Sequence, residues 1–133
     1  MRCPQCSRWL PRTSEFHFCV TPTEAEVMEE LPEELAEAWE RLREVASELG
    51  PQRIYASAKA VMFARRVCYC FVRPKRAALE VCIFLPETVA HPWIRGVKAA
   101  SKTRLAHTVH LQHADQVGAP LTEWLRRAWE EAG

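Results

Sequence analysis

The spacing of apolar residues changes twice along the chain, and this constrains the fold more than any other feature of the sequence. Between residues 33 and 49, Leu35, Ala38, Trp39, Leu42, Val45, Ala46 and Leu49 recur at helical intervals and define one buried face. From about residue 58 the pattern becomes short runs of β-branched, aromatic and cysteine residues broken by basic turns. From Leu121 the helical interval returns, with Trp124, Leu125, Ala128 and Trp129 on one stripe. Helix punctuation agrees with this reading. Thr23 and Glu26 form a capping box, Pro32 divides the first helical stretch, Gly50-Pro51 ends it, and Pro120 stands at the start of the last helix. Strands are expected near residues 59–64, 67–73, 77–84 and 105–112, with hairpins at Arg65-Arg66 and at Arg73-Pro74-Lys75-Arg76. Residues 91–102 read as an irregular basic segment. The expected fold is α+β, a two-layer domain over residues 21–133 built from a helix, an antiparallel sheet of about four strands and a C-terminal helix.

Residues 1–20 read differently, as a small zinc-binding head. Cys3-Pro-Gln-Cys6 is a Cys-x-x-Cys turn that brings two thiolates to one side at the separation a tetrahedral metal needs. His17 and Cys19 are two apart, so in an extended segment both face the same way and close the site. Four ligands leave no open position, which makes the expected Zn2+ structural and not catalytic. The other cysteines, Cys68, Cys70 and Cys82, lie in apolar surroundings that favour inert buried thiols. Cys68 and Cys70 are expected on one sheet face. No apolar run approaches the roughly 20 residues that span a bilayer, and no apolar leader follows Met1-Arg2. The expectation is a cytoplasmic protein without a membrane partner, whose cysteines serve as ligands or small core residues and not as disulfides.

The formal net charge of +1 conceals a segregation of charge along the chain. Residues 21–52 hold ten Glu against Arg41 and Arg43, whereas residues 53–104 hold eleven Lys or Arg against Glu80 and Glu87. Within the basic block, Lys59, Arg65, Arg66, Arg73, Lys75 and Arg76 fall on strand ends and turns, where they could bind phosphate by charge and, for Arg, by bidentate hydrogen bonds. Arg2, Arg8, Trp9 and Arg12 of the head could add to such a surface. His107 is a possible phosphate contact or general base. His107, His110 and His113 alternate in extended chain, so they cannot share one metal. No Ser-His-Asp set, paired carboxylate motif or glycine-rich phosphate loop is present, and the chain has only four glycines.

Cys3-Pro-Gln-Cys6-Ser-Arg8 with His17-x-Cys19, then Gly50-Pro51, Lys59 ahead of a hydrophobic run, His107-x-Val109-x-Leu111, and Trp124-Leu125 with Ala128-Trp129 form a pattern across nearly the whole chain. It resembles a group of uncharacterised bacterial proteins that pair a CPxCGR-type zinc head with a domain of unknown function. Ser7 stands where that group has Gly, and Trp129 where it has Tyr. The element order is also similar to frataxin-like and bacterial DNA-binding domains of the same α+β shape, a likeness that carries no function by itself.

Three functions are compatible with these residues. The leading expectation is a zinc-containing binding module, more a binder than an enzyme, whose basic sheet recognises a polyanion, with nucleic acid foremost. A protein-interaction or regulatory module would instead present the acidic helix or tryptophans to a protein partner. A small enzyme would require Lys59 and His107 to converge in one pocket.

Overall fold

The computed structural model describes residues 23–133. It begins with a short helix, α1 (Glu24–Val27), capped by the Thr23 hydroxyl, which accepts from the Glu26 N–H at 3.1 Å. Pro32 then precedes the longer α2 (Glu33–Ser47). Leu35, Ala38, Trp39, Leu42 and Ala46 of α2 are buried, as the helical interval requires. Arg43 donates through Nε to Glu24 at 2.6 Å and ties the two helices together.

Six antiparallel strands follow in place of the expected four or so: β1 (Arg53–Ser57), β2 (Ala60–Ala64), β3 (Cys68–Pro74), β4 (Leu79–Leu85), β5 (Ile94–Ala99) and β6 (Leu105–Leu111). Their order in the sheet is β1-β2-β3-β4-β6-β5. The two unexpected strands, β1 and β5, are its edges. A 3-10 turn (Ala114–Gln116) capped by His113 leads to the final helix, α3 (Leu121–Glu131). The helix, sheet, helix order is as expected, and the segment read as irregular is the edge strand β5.

The long helices bury one face of the sheet. Val61, Phe63, Cys70, Val72, Leu79, Val81, Ile83, Val109 and Leu111 on that face join Trp39, Leu42, Trp124 and Leu125 in one core. This apolar area removed from water, at about 25 cal/mol per Å², is the main force holding the layers together. A bulge in the β2–β3 pairing, where Phe63 faces Cys70 but Ala64 faces Cys68, inserts Tyr69 into the core beside Phe63. The buried Tyr69 hydroxyl donates to Gln52. The same bulge takes Cys68 out of step with Cys70, so the simple alternation expected for this pair does not hold.

Two polar contacts close the end of the domain where α2 and α3 finish. Gly50 has φ +146°, and a Cβ there would stand 2.4 Å from the Trp129 ring, so only glycine allows the approach. On Trp129 lies the Arg65 guanidinium, 3.7 Å from the ring centroid. Its Nη1 also donates to the Trp129 carbonyl at 2.9 Å, near the negative end of α3.

Candidate functional site

The opposite face of the sheet has no helix packed on it among the described residues, and the site is built there. Strand pairing aligns one row of side chains across all six strands: Tyr55 opposite Met62, Met62 opposite Phe71, Phe71 opposite Cys82, Cys82 opposite Thr108, and Thr108 opposite Gly96. A second row places Arg73 opposite Glu80 and Glu80 opposite His110. A third sets Ala106 between Phe84 and Lys98. Because side chains alternate along a strand, these residues all project away from the helices.

Aromatic rings and arginines are paired on this face. Guanidinium carbons lie 4.8 Å from the Phe71 centroid for Arg73, 4.5 Å from the Phe84 centroid for Arg104, and 5.9 Å from the Tyr55 centroid for Arg53. Phe71 and Phe84 are neighbours, with centroids 5.9 Å apart and planes tilted by 54°. A groove of about 320 Å³ runs beside them, with Cys82, Gly96 and Ala106 at its base and Arg73, Glu80 and Lys98 at its rim. A second hollow of about 500 Å³ shares Phe71 and Arg73 with the first and extends past Met62 to Lys59 and Lys75. The strands thus turn Arg53, Arg73 and Lys98 outward, with Arg104 beside them, against Glu80 as the facing carboxylate. Arg73 Nη1 is 3.8 Å from Glu80, a partly solvated pair that leaves most of the guanidinium free for other acceptors.

The basic residues picked out in the sequence separate into two groups. Lys59, in the β1–β2 turn, lines the second hollow with Arg73 and Lys75. Arg76 lies in the exposed β3–β4 turn, in a cleft with Lys75, Glu29 and Glu30. Glu26 of α1 and Glu29 in the turn after it line a hollow with Lys59. This end of the sheet is therefore mixed in charge. Arg65 and Arg66 lie in the β2–β3 turn at the other end. Arg65 is engaged on Trp129, and the Arg66 N–H donates to the Ala132 carbonyl at 3.0 Å.

His107 is inside the protein, 1% exposed, opposite Ile83 on the helix-covered face. Its Nε2 accepts from the Val89 N–H at 3.0 Å and its Nδ1 lies 3.0 Å from the Leu105 carbonyl. Both contacts are satisfied together by the neutral tautomer with its proton on Nδ1. The histidine thereby holds the loop leading into β5, which also places His91 edge-on to Trp124 at 5.2 Å. His107 lines neither of the hollows that Lys59 enters, so the described structure does not bring these two residues together. His110 faces outward beside Glu80, and His113 caps the 3-10 turn, so the three histidines do different things.

Burial raises the thiols of Cys68, Cys70 and Cys82, that of Cys82 to about 11, so all three are protonated near neutrality. Among the described residues no group of three or more His, Cys, Asp or Glu is arranged to hold a metal. The expected zinc ligands Cys3, Cys6, His17 and Cys19 lie outside the described residues, as do Arg2, Arg8, Trp9 and Arg12. No helix among the described residues is long and apolar enough to cross a membrane.

Phe71, Phe84, Tyr55, Lys98 and Arg104 were not separable as site residues by sequence. The available signal was alternation, since Phe71 and Arg73 share a face, as do Glu80, Cys82 and Phe84, and large aromatics on the polar side of such an alternation have no core to enter. A helix-backed antiparallel sheet defines a two-layer α+β domain whose second, basic and aromatic face is uncovered among the described residues. The chain belongs to the family described as Domain of unknown function (DUF5655), whose model matches residues 24–132. No curated protein and no solved structure matches it.

Proposed function

We propose that this protein is a binding module for a polyanion, nucleic acid foremost, and that the helix-free face of the sheet is its binding surface. The observation that supports this most is the register that turns Arg53, Arg73 and Lys98 outward around partly exposed aromatic rings, with Glu80 as the facing carboxylate on these strands among the described residues. Such a surface lowers the free energy of an anionic chain by charge and offers apolar area to whatever the chain carries. The tryptophans of the described residues favour the polyanion over a protein partner docked through them, because Trp39 and Trp124 are buried and Trp93 and Trp129 pack against the core.

The test is binding of polyphosphate and of short oligonucleotides as a function of salt. About four phosphate contacts to a single strand give a slope of log K against log salt near −3, or roughly a fiftyfold loss between 50 and 200 mM. Arg73→Ala with Lys98→Ala should remove most of the affinity and flatten the slope. Arg65→Ala should leave it unchanged, because Arg65 is engaged at Trp129. Salt-independent binding, or equal loss from Arg65→Ala, would sink the assignment.

The reading includes a structural Zn2+ on Cys3, Cys6, His17 and Cys19, supported by ligand spacing alone. Elemental analysis of the full chain should find one zinc per chain. Retention of the metal after Cys3→Ser and Cys6→Ser together would refute it.

A further inference from the structure

The groove beside Phe71 and Phe84 is more selective than the charge around it. Its base is made of small side chains, and at Gly96 there is none: a Cβ built there meets nothing within 4 Å. One side is aromatic, and the rim carries Arg73 and Lys98. A groove with aromatic rings on one side and cations at its edge is complementary to a ring joined to an anion. Polyphosphate supplies the anion without the ring.

A nucleic acid duplex supplies the ring only in part. Its bases are paired and stacked, and the major groove of B-DNA, about 12 Å wide, admits a helix or a two-stranded ribbon. Six strands at about 4.8 Å spacing form a face roughly twice that width, so a duplex can rest its phosphates on this surface but cannot lower a base into the slot. An unpaired strand can turn a base out of its own stack. Aromatic side chains and guanidinium planes both stack on such bases, and here each phenylalanine already has an arginine against it.

We infer that the groove receives an unstacked base of a single-stranded nucleic acid, with Phe71 and Phe84 as stacking surfaces and Arg73 and Lys98 on the adjoining phosphates, while Arg104 is held against Phe84 by its bond to the Cys68 carbonyl. This rests on the polyanion assignment above and adds selection of single strands to it. Glu80, the facing carboxylate, repels phosphate and can accept a hydrogen bond from a base amino group, so the base belongs at its side of the groove and the phosphates beyond.

The experiment compares the full chain with its Gly96→Leu variant, which extends a side chain into the groove, meets no neighbour at Cβ and leaves every charge in place. Fluorescence anisotropy is measured with labelled 12-nucleotide single strands of DNA and RNA and a 12-base-pair duplex, with polyphosphate as competitor. Single strands should bind about tenfold or more tightly than the duplex, the effect of stacking one base or two. Gly96→Leu should abolish that preference while leaving competition by polyphosphate intact. Phe84→Ala, with its fold checked by circular dichroism, should lower single-strand affinity by roughly tenfold and polyphosphate affinity hardly at all. Equal affinity for DNA and RNA supports recognition of base and phosphate, and a preference for RNA supports the same slot with an added 2′-hydroxyl contact. If single strands show no advantage, or Gly96→Leu retains it, the slot assignment fails while the polyanion surface stands. If nothing anionic binds, both fail.

Discussion

The two faces of this sheet come from the same strands, yet they are organised on opposite terms. Residues alternate between them, so Val72 enters the core while Phe71 and Arg73 on either side of it face out, and Ile83 is covered while Cys82 and Phe84 line the groove. On the helix side, the apolar side chains of α2, α3 and the strands pack together in one buried core. On the other side, rings and guanidinium groups are arranged with no element of the described chain upon them. The difference shows that an outward aromatic residue in an amphipathic strand need not be an irregularity of the core pattern. It can be part of a second surface with its own order.

If the two faces divide stability from binding in this way, substitutions should separate the two properties. The largest effect belongs to the covered face. Leu125→Ala removes a fully buried side chain and should cost about 2–5 kcal/mol in denaturant unfolding, with binding by the remaining folded protein unchanged. Phe84→Ala removes a ring that water already reaches and should cost only roughly 1–2 kcal/mol. A Phe84→Ala variant as unstable as Leu125→Ala would show that the open face belongs to the core and would break the comparison.

The smallest effect near neutrality concerns the thiols. Cys82 lies on the open face but is itself covered, and its pKa is raised from 9.0 to about 11, chiefly by burial. A thiol held above its unfolded value binds its proton more tightly in the folded state. Its contribution to stability is therefore complete below about pH 9 and declines as pH rises toward 11. Unfolding measured from pH 7 to 11 should show no change in this contribution up to about pH 9, then a fall that Cys82→Ala reduces. A thiol that reacts rapidly with alkylating reagents at pH 7 would contradict the burial assigned here.

The helices and the inner strands were legible because their apolar residues repeat at one clear interval. The edge strands were not. β1 reads Arg53-Ile-Tyr-Ala-Ser57 and is half exposed throughout, so its alternation is carried by few apolar residues. In β5 a bulge between Ile94 and Gly96 breaks the period, and Arg95 and Lys98 give it the composition of a loop. The placement of β6 between β4 and β5 depends on pairing between distant segments, which local patterns do not encode. For the site, Arg73, Lys75 and Lys59 could be recognised by charge. Charge alone could not reveal that Arg65 lies against Trp129, that His107 holds a buried loop, or that Phe71 faces away from the cysteine beside it in the chain.

The position of β5 has an evolutionary consequence. It supplies Gly96 and Lys98 to the groove while bonding to only one neighbouring strand, so little of the core depends on its side chains. The aromatic side is different, because Phe71 and Phe84 belong to interior strands whose alternate residues hold the helices in place. One side of the groove is therefore free to diverge at small cost to folding, and the other is not. Among relatives that share this sheet, a change of ligand would be written first in the residues of β5.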